Sequence, residues 1–175
     1  EITGAGANRI PVAIADFGGE AGLSRALTSV IRADLERSGL FKMVDTTGTA
    51  MNESTAPAYG DWRNRGADAL AAGSLGTGGD GRMEARFRLY DINKQQPLAG
   101  VAYPTSTATL RTAAHRIADV IYEKLTGEPG VFSTRIAYVV KNGPARYELT
   151  IADADGQNAQ VALRSREPII SPVWS

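Results

Sequence analysis

The chain contains no cysteine, and that single absence removes three kinds of chemistry. Disulfides, thiolate zinc sites and cysteine nucleophiles are all excluded. It assigns no compartment, because it suits an exported protein as well as a cytosolic one. Long apolar runs are lacking too: none approaches the roughly 20 residues of a membrane-crossing helix. No charged-then-apolar leader stands at Glu1, as would also hold for a mature secreted chain. Net charge is zero, with 19 basic against 19 acidic residues, so no global field draws in nucleic acid or an anionic membrane, and only a local patch can do so. What the chain does have is core-forming material. A hydrophobic fraction of 43% over 175 residues is ample for one globular domain, or one domain and a piece of another.

Periodicity divides the first 130 residues into alternating strands and helices. Residues 1–8 are small and glycine-rich (Gly4, Gly6), an extended and mobile tract unless something pairs with it. Ile10 to Phe17 is a short apolar run with Pro11 near its start, which predicts an internal strand beginning just after the proline. Leu23, Leu27, Val30, Ile31 and Leu35 then recur at the helical period, with Arg25, Arg32, Glu36 and Arg37 on the other side and Gly39 as a left-handed stop. Phe41 to Val44 reads as a second strand, Thr46 to Pro57 as a loop, and Tyr59 to Arg65 as a short helix carrying Trp62. Asp68 to Leu75 is small and apolar, as a crowded interior strand requires. In Arg82 to Asp91 the residues Met83, Ala85, Phe87 and Leu89 alternate with Arg82, Glu84, Arg86 and Arg88, so one face is core and the other solvated. Another strand follows around Leu98 to Tyr103. Leu110, Ala114, Ile117, Ile121 and Leu125 form the stripe of a second long helix, with Thr109 as its cap and Gly127 and Pro129 closing it. The predicted fold class is α/β (α+β), a mixed sheet packed by two long helices over residues 1–130. Leu27, Ile31, Leu35, Phe87, Leu89, Ile117, Ile121 and Leu125 are its expected core.

Residues 131–175 follow a different rule. After the connector Val131 to Thr134 come a strand-like run from Ile136 to Val140, a Lys141-Asn142-Gly143-Pro144 turn, and an alternating run with Tyr147, Leu149 and Ile151 on one face. A turn at Asp153 to Gly156 leads to a third run through Val161 and Leu163, and Ser171 to Ser175 opens a Trp-Ser motif at Trp174. Strand, turn, strand, Asp-Gly turn, strand resembles the repeat of TolB-type β-propellers. A propeller buries each blade between its neighbours, so one incomplete blade is expected to be a piece of something larger.

The motifs that suggest chemistry mostly have simpler readings. Gly76 to Gly81 lacks the Gly-Lys-Ser/Thr opening of a phosphate loop and runs into a strand, which favours a hairpin turn. Gly18 and Gly19 precede a helix whose amides can face an anion, but Glu20 places a negative charge there. Asp153 and Asp155 lack the spacing and closing Glu of a calcium loop. His115, the only histidine, sits at the edge of a helix stripe with Asp119 one turn on, and nothing identifies a nucleophile or an oxyanion site beside it. Asp34, Glu36 and Glu123 are read as solvated helix-surface carboxylates. Arg82, Arg86 and Arg88 are the best contact patch, interrupted by Glu84.

Longer matches point to a family. Ala114 to Gly127 followed by Gly130 to Val139 closely resembles the domain junction of the TolB family, Ile10 to Ile14 and Ala33 to Phe41 resemble its amino-terminal region, and Ser171 to Ser175 resembles the start of its propeller repeat. The resemblance spans nearly the whole chain. It implies a periplasmic, non-catalytic adaptor of the Tol-Pal system, peripheral to the envelope membranes, with no catalytic residues, metal or cofactor and no nucleic-acid partner. The amino-terminal segment, here Glu1, Ile2 and Thr3, would engage TolA. The propeller would receive the lipoprotein Pal, and group A colicins would exploit the same surfaces. Two departures stand out: one blade leaves the Pal-binding face nearly absent, and Glu1 to Thr3 would be only a remnant of the TolA-contacting segment. The competing reading is a small α/β enzymatic or nucleic-acid-binding domain. Convergent titratable groups in a cleft would favour an enzyme, and clustered Arg82, Arg86 and Arg88 beside exposed aromatics would favour RNA.

Overall fold

Three parallel strands form one side of the larger sheet in the computed structural model, which describes residues 9–49, 51–170 and Pro172. The chain divides into two compact units, Glu1–Gly130 and Val131–Ser175. In the first, β1 (Ile10–Ile14) is followed by the two-residue β2 (Gly18–Gly19), helix α1 (Ala21–Arg37) and β3 (Phe41–Val44). Helix α2 (Tyr59–Asn64), β4 (Ala69–Thr77), β5 (Met83–Asp91), β6 (Gln96–Pro104) and helix α3 (Leu110–Thr126) complete it. The sheet order is β3-β1-β4-β5-β6, with β2 paired to the end of β4. β1 is parallel to β3 and β4, whereas β4, β5 and β6 run as an antiparallel meander.

Both faces of the sheet are covered over β1 and β4, which explains the small residues there. On one side α1 and α3 bury Leu27, Ile31, Leu35, Ile117 and Ile121 completely, and Phe87 and Leu89 of the sheet are buried with them. Phe41 of β3 meets Tyr122 of α3 edge to face, with ring centroids 5.9 Å apart. On the other side Trp62 of α2 packs with Ala13, Ala15, Leu70, Ala72, Tyr90 and Ile92. Ala69 to Ala72 is thus squeezed between two layers, where larger side chains would force the layers apart. The expected core is present except at Leu125, which lies in the last turn of α3 and is only half-buried.

Helix ends differ in detail from expectation. Gly39 and Gly127 adopt φ of 76° and 81° beyond α1 and α3, the left-handed stops their positions predict. Thr109 occupies the N-cap position of α3 but its side chain caps no helix N–H. Its Oγ1 instead accepts the Ser106 N–H at 3.0 Å, because Ser106 and Thr107 turn back on the helix entry.

The second unit is a three-stranded antiparallel meander of β7 (Arg135–Gly143), β8 (Arg146–Asp153) and β9 (Gln160–Ser165). The register pairs Val139 with Leu149 and Leu149 with Leu163, and on the opposite face Tyr138 with Thr150 and Thr150 with Val161. Tyr147, Leu149 and Ile151 therefore share a face as their alternation predicts. Glu1 to Thr3, the Gly4 to Asn8 tract and Trp174 lie outside the described residues.

Candidate functional site

In an open sheet with parallel strands, ligands bind beyond the carboxyl ends of the strands at the point where the strand order reverses. Here that point lies at the end of β1, between β3 and β4. The crossover from β1 to β3 runs through α1 on one face, and the return from β3 to β4 passes through α2 on the other. The residues at this point are Asp16 to Glu20, and the chain itself uses nearly every polar group that a ligand would need.

The amino terminus of α1 shows how. Glu20 folds its carboxylate over the first turn and accepts the N–H groups of Gly22 and Leu23 at 3.0 and 2.8 Å. These bonds, chiefly the one from Gly22, hold its pKa below the ordinary carboxylate value. An anion site thus already holds the protein's own anion. Gly18 and Gly19 spend backbone groups on pairing with Ser74 and Leu75 of β4. Gly19 has φ 117°, and a Cβ there would lie 2.1 Å from the Leu75 carbonyl oxygen, so no other residue fits without moving the strand.

Two further groups close the crevice. Arg32, read from sequence as a solvent-face residue, reaches back with its guanidinium to the Ile14 carbonyl, the Asp16 carboxylate at 2.9 Å and Thr46 Oγ1 at 2.9 Å. The Phe17 ring fills the space above Gly73, where a Cβ would come within 2.4 Å of it. A substrate would have to displace an arginine fork, a buried ring and a helix cap together.

His115 has a partner that sequence reasoning missed. Its Nδ1 lies 2.6 Å from Asp34 Oδ2, and the other carboxylate oxygen of Asp34 accepts from Arg37. Asp34 is not a solvated surface carboxylate, as expected, but fully buried at 0% exposure, with His115 at 2%. The signal was available: Asp34 follows Ile31 by three residues, on the helix stripe that faces α3. The pair bolts α1 to α3. Asp119, one turn after His115 on α3, backs the chain at Gly130, where a Cβ would sit 2.5 Å from its Cα.

The remaining motifs fold as local turns. Gly78 donates to the Arg82 carbonyl at 2.7 Å and Gly81 to that of Gly78 at 3.0 Å, so the glycine run is a hairpin turn. Asp153 accepts from the Asn158 amide and Asp155 from the Gln157 N–H, each carboxylate stabilising its own turn. Arg86 is paired with Glu84 at 2.6 Å and also donates to the Thr77 carbonyl, while Arg82 and Arg88 stay exposed. Three open grooves of about 470, 390 and 240 Å³ lie on the first unit. The largest, between α1 and the start of α3, is lined by Leu23, Leu27, Val30, Leu110 and Arg111, and none gathers several titratable groups in one place. Among the described residues, no helix is long and apolar enough to cross a membrane.

Similarity to known proteins agrees with this architecture. Residues 1–98 match the TolB amino-terminal domain family and residues 122–175 the TolB β-propeller domain. The Tol-Pal system protein TolB of Dechloromonas aromatica is 63% identical over 175 residues, which is 100% of this chain and 41% of that protein. TolB of Aromatoleum aromaticum is 59% identical with the same coverage. The crystal structure of TolB from Acinetobacter baumannii superposes with a TM-score of 0.83 at 37% identity, covering 99% of this chain and 43% of that one. The chain thus spans about two fifths of the length of the relatives it matches. A mixed α/β unit whose residues 1–98 match one family model, followed by a propeller-type sheet within the 122–175 match of the other, places this chain in the TolB family of Tol-Pal system proteins.

Proposed function

We propose that the chain acts as a non-catalytic periplasmic adaptor of the Tol-Pal system, made of an amino-terminal domain (residues 1–130) and the first, incomplete blade of a propeller (residues 131–175). Its amino-terminal segment, beginning at Glu1, Ile2 and Thr3, engages TolA. The propeller to which the blade belongs receives Pal, and group A colicins exploit the same surfaces. The adaptor supports outer-membrane integrity and envelope constriction at division. The observation that carries this reading is the closed switch point, where Glu20, Arg32 and Phe17 occupy the volume and hydrogen-bonding groups that an α/β enzyme gives to its ligand. Family membership supports the Tol-Pal role.

Strand addition accounts for the role of the amino-terminal segment. An extended peptide offers backbone donors and acceptors to a partner's sheet edge, and a second partner shifts its availability only by binding the docked or the free form better. Titrating the periplasmic domain of TolA with this chain and with a form lacking Glu1 to Thr3 tests it, and the shortened form should bind markedly more weakly. Equal binding would remove those residues from the contact. A hydrolase activity abolished by His115→Ala but kept in a surface control would overturn the non-catalytic reading.

A further inference from the structure

The two edges of the larger sheet are defended very differently. β3 is four residues long and carries the exposed Lys42, features that discourage pairing with another strand. β6 is nine residues long and contains no charged residue, and no strand among the described residues pairs with its outer side. Only Pro97 and Pro104, near its ends, lack a backbone donor. The register shifts at Leu98, and the regular segment from Ala99 to Tyr103 is an open template.

Its geometry identifies the groups on offer. The Thr105 N–H donates inward to Met83 of β5 at 2.9 Å, so by alternation Tyr103 and Val101 also point inward, and Ala102 and Gly100 direct their N–H and C=O groups outward. On the sheet face opposite the long helices, Gly100 stands beside Arg88 and Ala102 beside Arg86. Arg86 is held by Glu84. Arg88 is exposed and has no carboxylate partner among the described residues. Its side chain lies across Gly100, with Cγ and Nε 3.4 and 3.7 Å from where a Cβ would be, which carries the guanidinium toward the free edge. On the helix face the charges beside Tyr103 oppose one another: burial raises its pKa first, Arg116 lowers it and Asp119 raises it. The uncompensated charge along this edge is therefore Arg88.

We propose that β6 is a docking edge for an extended acidic segment of another protein, which adds as a further strand opposite Gly100 and Ala102 and places a carboxylate on Arg88. Backbone hydrogen bonds supply affinity and the Arg88–carboxylate pair supplies register and specificity. A second copy of this chain is the poorer occupant, because antiparallel pairing of two β6 strands brings two Arg88 side chains toward each other. The proposal goes beyond the adaptor reading and needs neither the amino-terminal segment nor the propeller.

A synthetic peptide alternating Glu and Val is the probe, titrated into the 175-residue chain while amide exchange is followed. Exchange at Gly100 and Ala102 should slow on binding. Arg88→Glu should weaken binding roughly tenfold, and a Lys-Val peptide should then bind that variant better than it binds the parent. A Glu-Val peptide with alternate N-methyl amides should not bind, which tests the backbone contacts without altering the protein. Several results would overturn the proposal: equal binding of both peptides by the parent, protection at a site other than β6, or association of the free chain through β6. So would tighter binding of an oligouridylate to Arg82, Arg86 and Arg88, or protection of β6 without peptide in a chain extended to the length of the relatives.

Discussion

The first unit covers the middle of its sheet on both faces, whereas the second presents apolar side chains on both faces of its own. In the first, helices α1 and α3 lie against Phe87 and Leu89 on one side, and Trp62 with its loop packs on Ala13, Leu70 and Ala72 on the other. In the second, Ile136, Tyr138, Val161 and Leu163 remain 40%, 38%, 40% and 52% exposed. Both sheets are built from equally regular strands. A sheet with two apolar faces needs two covering layers, and the first unit carries both in its own sequence. A propeller blade takes them from its neighbours. The first unit is therefore expected to fold by itself and the second to depend on further blades or on association.

The sharpest test of that contrast is Ile117→Ala. This side chain is fully buried between the helices and the sheet, and its truncation should cost on the order of 2–5 kcal/mol, read by chemical denaturation. Equal loss of order in β7 to β9 would show that the two units unfold as one. Asp34→Ala, which leaves buried His115 and exposed Arg37 without their shared acceptor, should cost about 1–5 kcal/mol by the same measurement. Gly19→Ala meets the Leu75 carbonyl and a positive φ together, for a cost of roughly 1–3 kcal/mol.

Changes in the second unit should read out differently. Leu163→Glu on the exposed blade face should alter folding of the first unit by less than about 0.5 kcal/mol, yet reduce self-association measured by sedimentation. A monomeric 175-residue chain with β7 to β9 fully protected in hydrogen exchange would break the comparison. The smallest effect concerns Glu20. Its pKa is depressed in the folded chain, so its contribution is present above the ordinary carboxylate range and lost as pH falls through the folded value. Glu20→Gln should flatten the acid side of the thermal midpoint profile of the first unit alone.

Periodicity alone located the long helices, the β5 alternation and the three strands of the blade, because amphipathic patterns encode which face each element buries. Gly39 and Gly127 were legible for a related reason, since few other residues tolerate their φ. The chain from Ile10 to Phe17 was less so. It reads as one strand beginning after Pro11, but β1 already pairs with β3 from Ile10, ends at Ile14, and the chain rejoins the sheet as β2 on β4, a detour made by the Arg32 fork and the Phe17 ring.

The amino-acid order by itself determined the α/β class, the core stripes and the likeness to the TolB family, all of which rest on local pattern or contiguous matches. Only the tertiary structure decided that Asp34 meets His115, that Glu20 and Arg32 close the switch point, and that β6 is left bare beside Arg88. Each of these joins residues far apart in sequence, and such a contact is set by how the helices and strands pack together, which no run of neighbouring residues encodes.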